Sequence, residues 1–173
     1  MTEARTWAGD AGYAAFVDEV WVSHLRIATL LCGDRHHAEE LLQDCLVKLY
    51  PRWRQVAARG DPHAYLRRML ANGKVSWWRR TRREHLTAEY PEMAGPPTGP
   101  GEPHEELQAA LLALSRQQRA VVVLRHYADL SERQVAAELG LAVGTVKAQH
   151  FRAMAKLREL LNPSHRSVER ASR

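Results

Sequence analysis

The sequence is poor in cysteine and phenylalanine, with two of each in 173 residues, and it has no long apolar run. Two cysteines, Cys32 and Cys45, cannot build a disulfide framework. They lack CxxC spacing and a histidine pair at zinc-ligand distance, so they read as small core residues in a reducing compartment. No stretch approaches the roughly 20 apolar residues that span a bilayer. The opening segment MTEARTWAGDAGYAAF has no basic patch followed by an apolar run. No signal peptide or membrane contact is therefore expected, and the chain is expected to stay in the cytoplasm. Nine histidines are scattered, His36 and His37 being placed in a turn, and no H-E-x-x-H set occurs. Carboxylate clusters, Cys/His constellations and phosphate-binding loops are also missing, so no metal, no cofactor and no catalytic residue is expected.

What is present is a packable, basic chain: 45% hydrophobic and 26% charged residues, net charge +5 and pI near 9.6. Such a balance points to a polyanionic partner. The distribution of charge says more than the total. Between Asp10 and Tyr50 the acids are Asp10, Asp18, Glu19, Asp34, Glu39, Glu40 and Asp44, against Arg26, Arg35 and Lys48. Between Arg67 and Arg83 the bases are Arg67, Arg68, Lys74, Arg79, Arg80, Arg82 and Arg83, with no acid among them. A single nucleic-acid surface has no use for the acidic half, which implies two different partners.

Apolar spacing is helical throughout and strand-like alternation is missing, so the fold is expected to be all-α: two small helical domains joined by a Pro/Gly linker. Residues 13–31 form a first helix that ends at Cys32-Gly33-Asp34. A second runs from about Arg35 to Tyr50, with Ala38, Leu41, Leu42, Cys45, Leu46 and Leu49 as its apolar stripe, and Pro51 stops it. Asp61-Pro62 starts a third helix as N-cap and first residue. Its inward face reads Leu66, Met69, Leu70, Gly73 and Trp77. Its outward face reads Arg67, Arg68, Asn72, Lys74, Trp78, Arg79 and Arg82. These three helices account for 10–88. The stretch 88–103 holds five prolines and three glycines, and 89–103 is assigned as linker, either an inert tether or a path along a partner. A second domain covers 104–163, and 164–173 is a polar tail.

The strongest local pattern is LSERQVAAELGLAVGTVKAQHFRAMAKLREL, 130–160. Ser131 with Gln134 gives a capping box, Ala136 allows close helix crossing, Gly140 suits a left-handed turn, and Val146 packs the second helix on the first. These are the steric requirements of a helix-turn-helix. Val146, His150, Ala153, Met154, Leu157 and Leu161 line one face of the second helix. Thr145, Lys147, Ala148, Gln149, Arg152 and Lys156 line the other, where Gln suits adenine and Lys or Arg suit phosphate or guanine. The plainer alternative is a helix pair with a solvated basic face.

Three segments in order resemble the small extracytoplasmic-function (group IV) sigma factors of bacterial RNA polymerase. GDRHHAEELLQDCLVKLYPRW resembles their core-binding helix and DPHAYLRRMLANGKVSWWRR their promoter-melting helix. RQQRAVVVLRHYADLSERQVAAELGLAVGTVKAQHFRAMAKLREL resembles their C-terminal domain. The SWWRR and REHL segments resemble the actinobacterial sigma-E-like branch. The resemblance, covering about 13–161, implies region 2 in 10–88, region 4 in 104–163, and a specificity subunit that directs initiation without catalysis of its own. It implies that Glu40, Leu41, Gln43, Asp44 and Lys48 dock on the polymerase clamp helices, with the flap as a further contact. Asp61, Arg68, Asn72, Lys74, Trp77, Trp78, Arg79 and Arg80 would engage and open the −10 element, Val56–Asp61 cradling a flipped-out base. Thr145, Lys147, Ala148, Gln149, Arg152 and Lys156 would meet the −35 element. The two tryptophans have a bland alternative as core residues; helical phase places Trp77 inward and Trp78 outward. An anti-sigma protein is a possible further partner in this family.

Departures from the family pattern are Ala142, where a Ser cap is usual, and Ala148-Gln149-His150 in place of Ser-Arg-Leu. His150 falls on the apolar face, where protonation is unfavourable. The competing reading is a conventional regulator that binds operators as a dimer, with 10–88 as sensor. Tryptophans among arginines speak against it, and a nucleic-acid enzyme lacks its chemistry.

Overall fold

A computed structural model describes residues 3–84 and 103–162, with side chains over 12–73 and 105–162. The described residues hold helices and no strand. The chain divides into two compact units, Met1–Trp78 and Arg79–Arg173.

The first unit is built on a helical hairpin. Helix α1 (Glu3–Cys32) turns through Gly33-Asp34 into α2 (Arg35–Leu49). Asp34 starts α2: its carboxylate accepts from the His37 backbone N–H at 2.9 Å and contacts the His37 ring. Burial works against its charge, but the His37 hydrogen bonds and the nearby imidazoles outweigh it and hold the carboxyl below its usual range. His36 and His37 therefore lie in the first turn of α2, not in the turn before it. Ala38, Leu41, Leu42, Cys45, Leu46 and Leu49 are all buried, as the apolar stripe predicts. They meet Val20, Ile27, Ala28 and Leu31 of α1 in the core of this unit.

Pro51 does not end the helical path. It sits in a 3₁₀ turn, Tyr50–Arg52, that leads straight into α3 (Trp53–Arg59). Proline is tolerated at the start of a helical turn because its missing N–H would be unpaired there anyway. An aromatic cluster holds this extra segment on α1. Tyr13 packs edge-on against Trp53 at 5.4 Å, Phe16 lies 4.8 Å from Trp53, and the Tyr13 hydroxyl donates to the Leu46 carbonyl at 2.7 Å. The first unit thus has four α-helices where periodicity counted three.

Helix α4 (Pro62–Glu84) begins as expected, with Asp61 accepting from the His63 N–H at 2.9 Å. Leu66 and Leu70 are fully buried. Gly73 allows α4 to approach α2: a Cβ there would lie 2.9 Å from Leu41 Cδ1 and 3.6 Å from Cys45 Sγ. Burial pushes the Cys45 thiol up to about 12, so it is inert. Arg67, placed outward by phase, is mostly covered; its guanidinium turns back to Asp61 at 3.7 Å.

The second unit contains α5 (Pro103–Ala113), α6 (Arg116–His126), α7 (Glu132–Leu139) and α8 (Val143–Leu161). Ser115 with Gln118, and Ser131 with Gln134, both form complete capping boxes. Arg119 is buried, and its guanidinium donates to the carbonyls of Leu111 (2.8 Å), Leu112 (2.8 Å) and Leu114 (3.2 Å). It thereby brings a charged donor to carbonyls at the end of α5 and just beyond it, of which Leu111 also accepts from the Leu114 N–H at 3.2 Å. Gly140 takes the left-handed conformation, φ 67° and ψ 38°, and Leu141 N–H returns to the Ala136 carbonyl at 2.9 Å. Val121, Leu124, Leu130, Val135, Ala136 and Val146 form the core behind this turn.

Candidate polymerase and promoter surfaces

On the outer side of α2, Glu40, Gln43, Asp44 and Lys48 are exposed. Their polar heads are laid out as i,i+4 pairs, the His36 ring with Glu40 and Lys48 with Asp44, both at 3.6 Å. Exposed pairs of this kind are worth little to the fold, about 0–1 kcal/mol, and so give way readily to a partner's charges. Leu41 does not join them. It is buried against α4 at Gly73, and its side chain serves the unit's own packing. The apolar side chain that this face does offer is Val47, 71% exposed, beside Tyr50 at 48%. Sequence reasoning passed over Val47, although its position off the stripe of 38, 41, 42, 45, 46 and 49 marks it as outward.

Along α4, Asp61, Arg68 and Asn72 are exposed. Lys74, Trp77, Trp78, Arg79 and Arg80 follow on the same helix, and their side chains lie outside the described residues. The segment Val56–Asp61, expected to cradle a flipped-out base, is mostly helical. Residues through Arg59 are helical, and Gly60, in extended conformation, makes the whole break before the Asp61 cap.

In the second unit, Val146, Ala153 and Leu157 turn α8 inward, and the opposite side shows Lys147, Ala148, Phe151, Arg152 and Lys156. Thr145 and Gln149 are half-buried on its flank. Three of the expected contacts already have partners. Lys147 pairs with Glu132 at 3.8 Å, Gln149 donates to Gln117 Oε1 at 3.1 Å, and Lys156 donates to the Ala113 carbonyl at 2.7 Å. Phe151 is 77% exposed in the middle of the outward face, a residue the sequence reading did not select.

His150 also finds its explanation. Its Nε2 lies 2.8 Å from His126 Nε2 on α6, the rings stacked at 5.0 Å. Burial, then His126 and Arg125, lower its pKa, and the two imidazoles share this contact where leucine is usual. Ala142 caps α8 without any side-chain hydrogen bond.

A helix-turn-helix unit and a separate unit with an acidic outer helix find matching families. Residues 21–84 match the Sigma-70 region 2 family and residues 104–157 the Sigma-70 region 4 family. The RNA polymerase sigma-E factor of Streptomyces coelicolor is 38% identical over 156 residues, covering 86% of this chain and 87% of that protein. The chain belongs to the extracytoplasmic-function sigma factors. The Streptomyces avermitilis sigma-E factor is 39% identical, with 86% of each chain covered. Among solved structures, the sigma factor RpoE in complex with the anti-sigma factor NepR from Bartonella quintana superposes with a TM-score of 0.69. It is 28% identical, over 86% of this chain and 98% of that one. CnrH in complex with the cytosolic domain of CnrY, at 22% identity and TM-score 0.65, shares the fold. This sigma factor binds core RNA polymerase and promoter DNA and directs transcription initiation. An operator-binding dimer is not favoured by these matches. No helix among the described residues is long and apolar enough to cross a membrane.

Proposed function

We propose that the sigma factor divides its work between the two units, as a cytoplasmic specificity subunit with no catalytic residues of its own. Region 2 occupies 10–88: the outer face of α2, with Glu40, Gln43, Asp44, Val47 and Lys48, docks on the clamp helices of core polymerase. Asp61, Arg68 and Asn72, with Lys74, Trp77, Trp78, Arg79 and Arg80 further along α4, engage and open the −10 element. Residues 89–103 link this to region 4 in 104–163, with 164–173 as a tail. There Thr145, Lys147, Ala148, Gln149, Phe151, Arg152 and Lys156 meet the −35 element, and the polymerase flap contacts the same unit. An anti-sigma protein is a further partner, since the RpoE relative is seen with one.

The observation that carries this reading is the exposed pattern of α2. Its polar and acidic side chains face solvent in i,i+4 pairs beside an uncovered valine, which is the make-up of a docking face, not of a helix that reads DNA. Runoff transcription with purified core polymerase and a promoter library tests it. Specific initiation that is lost on Val47→Glu, with −35 binding by the free protein retained, is the expected result. Unchanged core binding by Val47→Glu removes this face from docking.

A further inference from the structure

We propose that Gln117 is a positioning residue for promoter readout, holding the Gln149 carboxamide in the orientation that recognises adenine in the −35 element. The inference rests on the proposed contact of Gln149 with that element.

Gln149 sits on the flank of α8 turned towards α6, and its Nε2 donates to Gln117 Oε1 at 3.1 Å. Gln117 stands on a rigid mount. It lies in the first turn of α6, which the Ser115–Gln118 capping box closes, two residues before the buried Arg119 that ties α6 to the end of α5. Further along the same flank of α8, Lys156 donates to the Ala113 carbonyl through an exposed bond. The backbone that carries the acceptor is thus held at the start of α6, while the Gln117 side chain itself is exposed.

A glutamine carboxamide has two N–H donors and a carbonyl acceptor. The bond to Gln117 consumes one N–H. The second N–H and the carbonyl remain, and these are the two groups that pair with N7 and the N6 amino group of adenine. A lone glutamine at this position would rotate, and its amide could present oxygen and nitrogen in either order. Anchoring one N–H selects a single order, and the side chain meets DNA already arranged. Ordering one flexible side chain in advance corresponds to roughly a 2- to 10-fold gain. Here that gain belongs to one base position, because only the correctly oriented amide matches adenine.

The test uses the full chain with core polymerase on promoters randomised across the −35 element, read by sequencing the transcripts. Wild type is expected to favour adenine at one position, and Gln149→Ala to lose that preference. Gln117→Ala should lower it roughly 2- to 10-fold at that same position and leave the others unchanged, with no further effect in a Gln149→Ala background. Gln117→Glu keeps an acceptor oxygen and should retain the preference, while its charge weakens binding to all sequences alike. A Gln117→Ala protein with unaltered preference, or one weakened equally at every position, overturns the positioning role. If Gln149→Ala itself changes no base preference, the readout by Gln149 is refuted, and the role of Gln117 with it.

Discussion

Acid should unfold the first unit through one histidine. His24 projects from α1 into the core, 3% exposed, with Ser23 Oγ at 3.0 Å from its Nδ1 and no partner for its Nε2. His63 of α4, itself 3.4 Å from Glu19, lies beside it with ring centroids 5.7 Å apart, and Arg67 adds positive charge from the same helix. Burial, then His63 and Arg67, lower the pKa of His24 to about 4 from an ordinary 6.5. The sign follows from which state holds the proton. Between pH 6.5 and 4 the unfolded chain binds it and the folded unit does not, so stability is lost as pH falls through that window. The loss is roughly 2 kcal/mol from pH 7 to pH 5 and approaches about 3 kcal/mol near pH 4. That is a large share of the few kcal/mol that hold a small domain.

The molecule supplies its own reporter for this loss. All five tryptophans precede Arg79, so their fluorescence follows the first unit while the second stays silent. Urea unfolding at several pH values, followed by that signal, measures the slope. Carboxylates also titrate near pH 4, so the decisive comparison is with His24→Leu, which removes both the titration and the unpaired Nε2. The Ser23 hydroxyl keeps its bond to the Val20 carbonyl at 3.2 Å in that variant. The variant should be nearly flat from pH 7 to 5. A slope equal to that of wild type would refute the argument.

Other perturbations probe the second unit. Arg119→Ala leaves three carbonyls at the end of α5 without their charged donor and should cost about 3 kcal/mol; hydrogen exchange across 105–126 reads it, and a loss below about 1 kcal/mol would show that water replaces the guanidinium freely. Ala142→Ser supplies the missing cap of α8 and should raise the stability of this unit by roughly 0.5–1 kcal/mol in thermal unfolding. No gain would mean that α8 starts without need of a cap. Lys147→Ala should weaken −35 binding for all sequences and reduce the slope of log K against log salt by about 0.9. A change confined to one base pair would instead assign Lys147 to base readout.

How much of this was legible beforehand depends on where each signal was written. Caps and turns are local chemistry, so Asp34, Asp61, Ser131 and Gly140 could be placed from the sequence and stand where expected. The buried stripe of α2 was equally plain, because periodicity reports burial directly. At Leu41 the family motif and the periodicity disagree: the motif places it on the docking face while its phase places it inside, where it is buried. Helix α3 escaped because Pro51 reads as a stop when the chain simply tightens into a 3₁₀ turn. Arg119 escaped for a different reason. A basic residue on a helix is taken as solvated, and only the third dimension reveals that three carbonyls at and just beyond the end of α5 converge on it.

If α8 reads the −35 element as proposed, the partners of its side chains decide how affinity and discrimination divide. Lys147 spends its charge on an exposed pair with Glu132 that is worth at most about 1 kcal/mol, so a phosphate can take its place at little cost. The bond from Lys156 to the Ala113 carbonyl is likewise exposed and exchangeable. Gln149 differs, because its bond to Gln117 leaves intact the donor and acceptor that a base would use. The lysines must therefore be released to act, while the glutamine acts without release. Electrostatic attraction, common to all sequences, then comes from groups that are free to move. Choice among sequences comes from groups held in place, and a helix that reads DNA needs both kinds on one face.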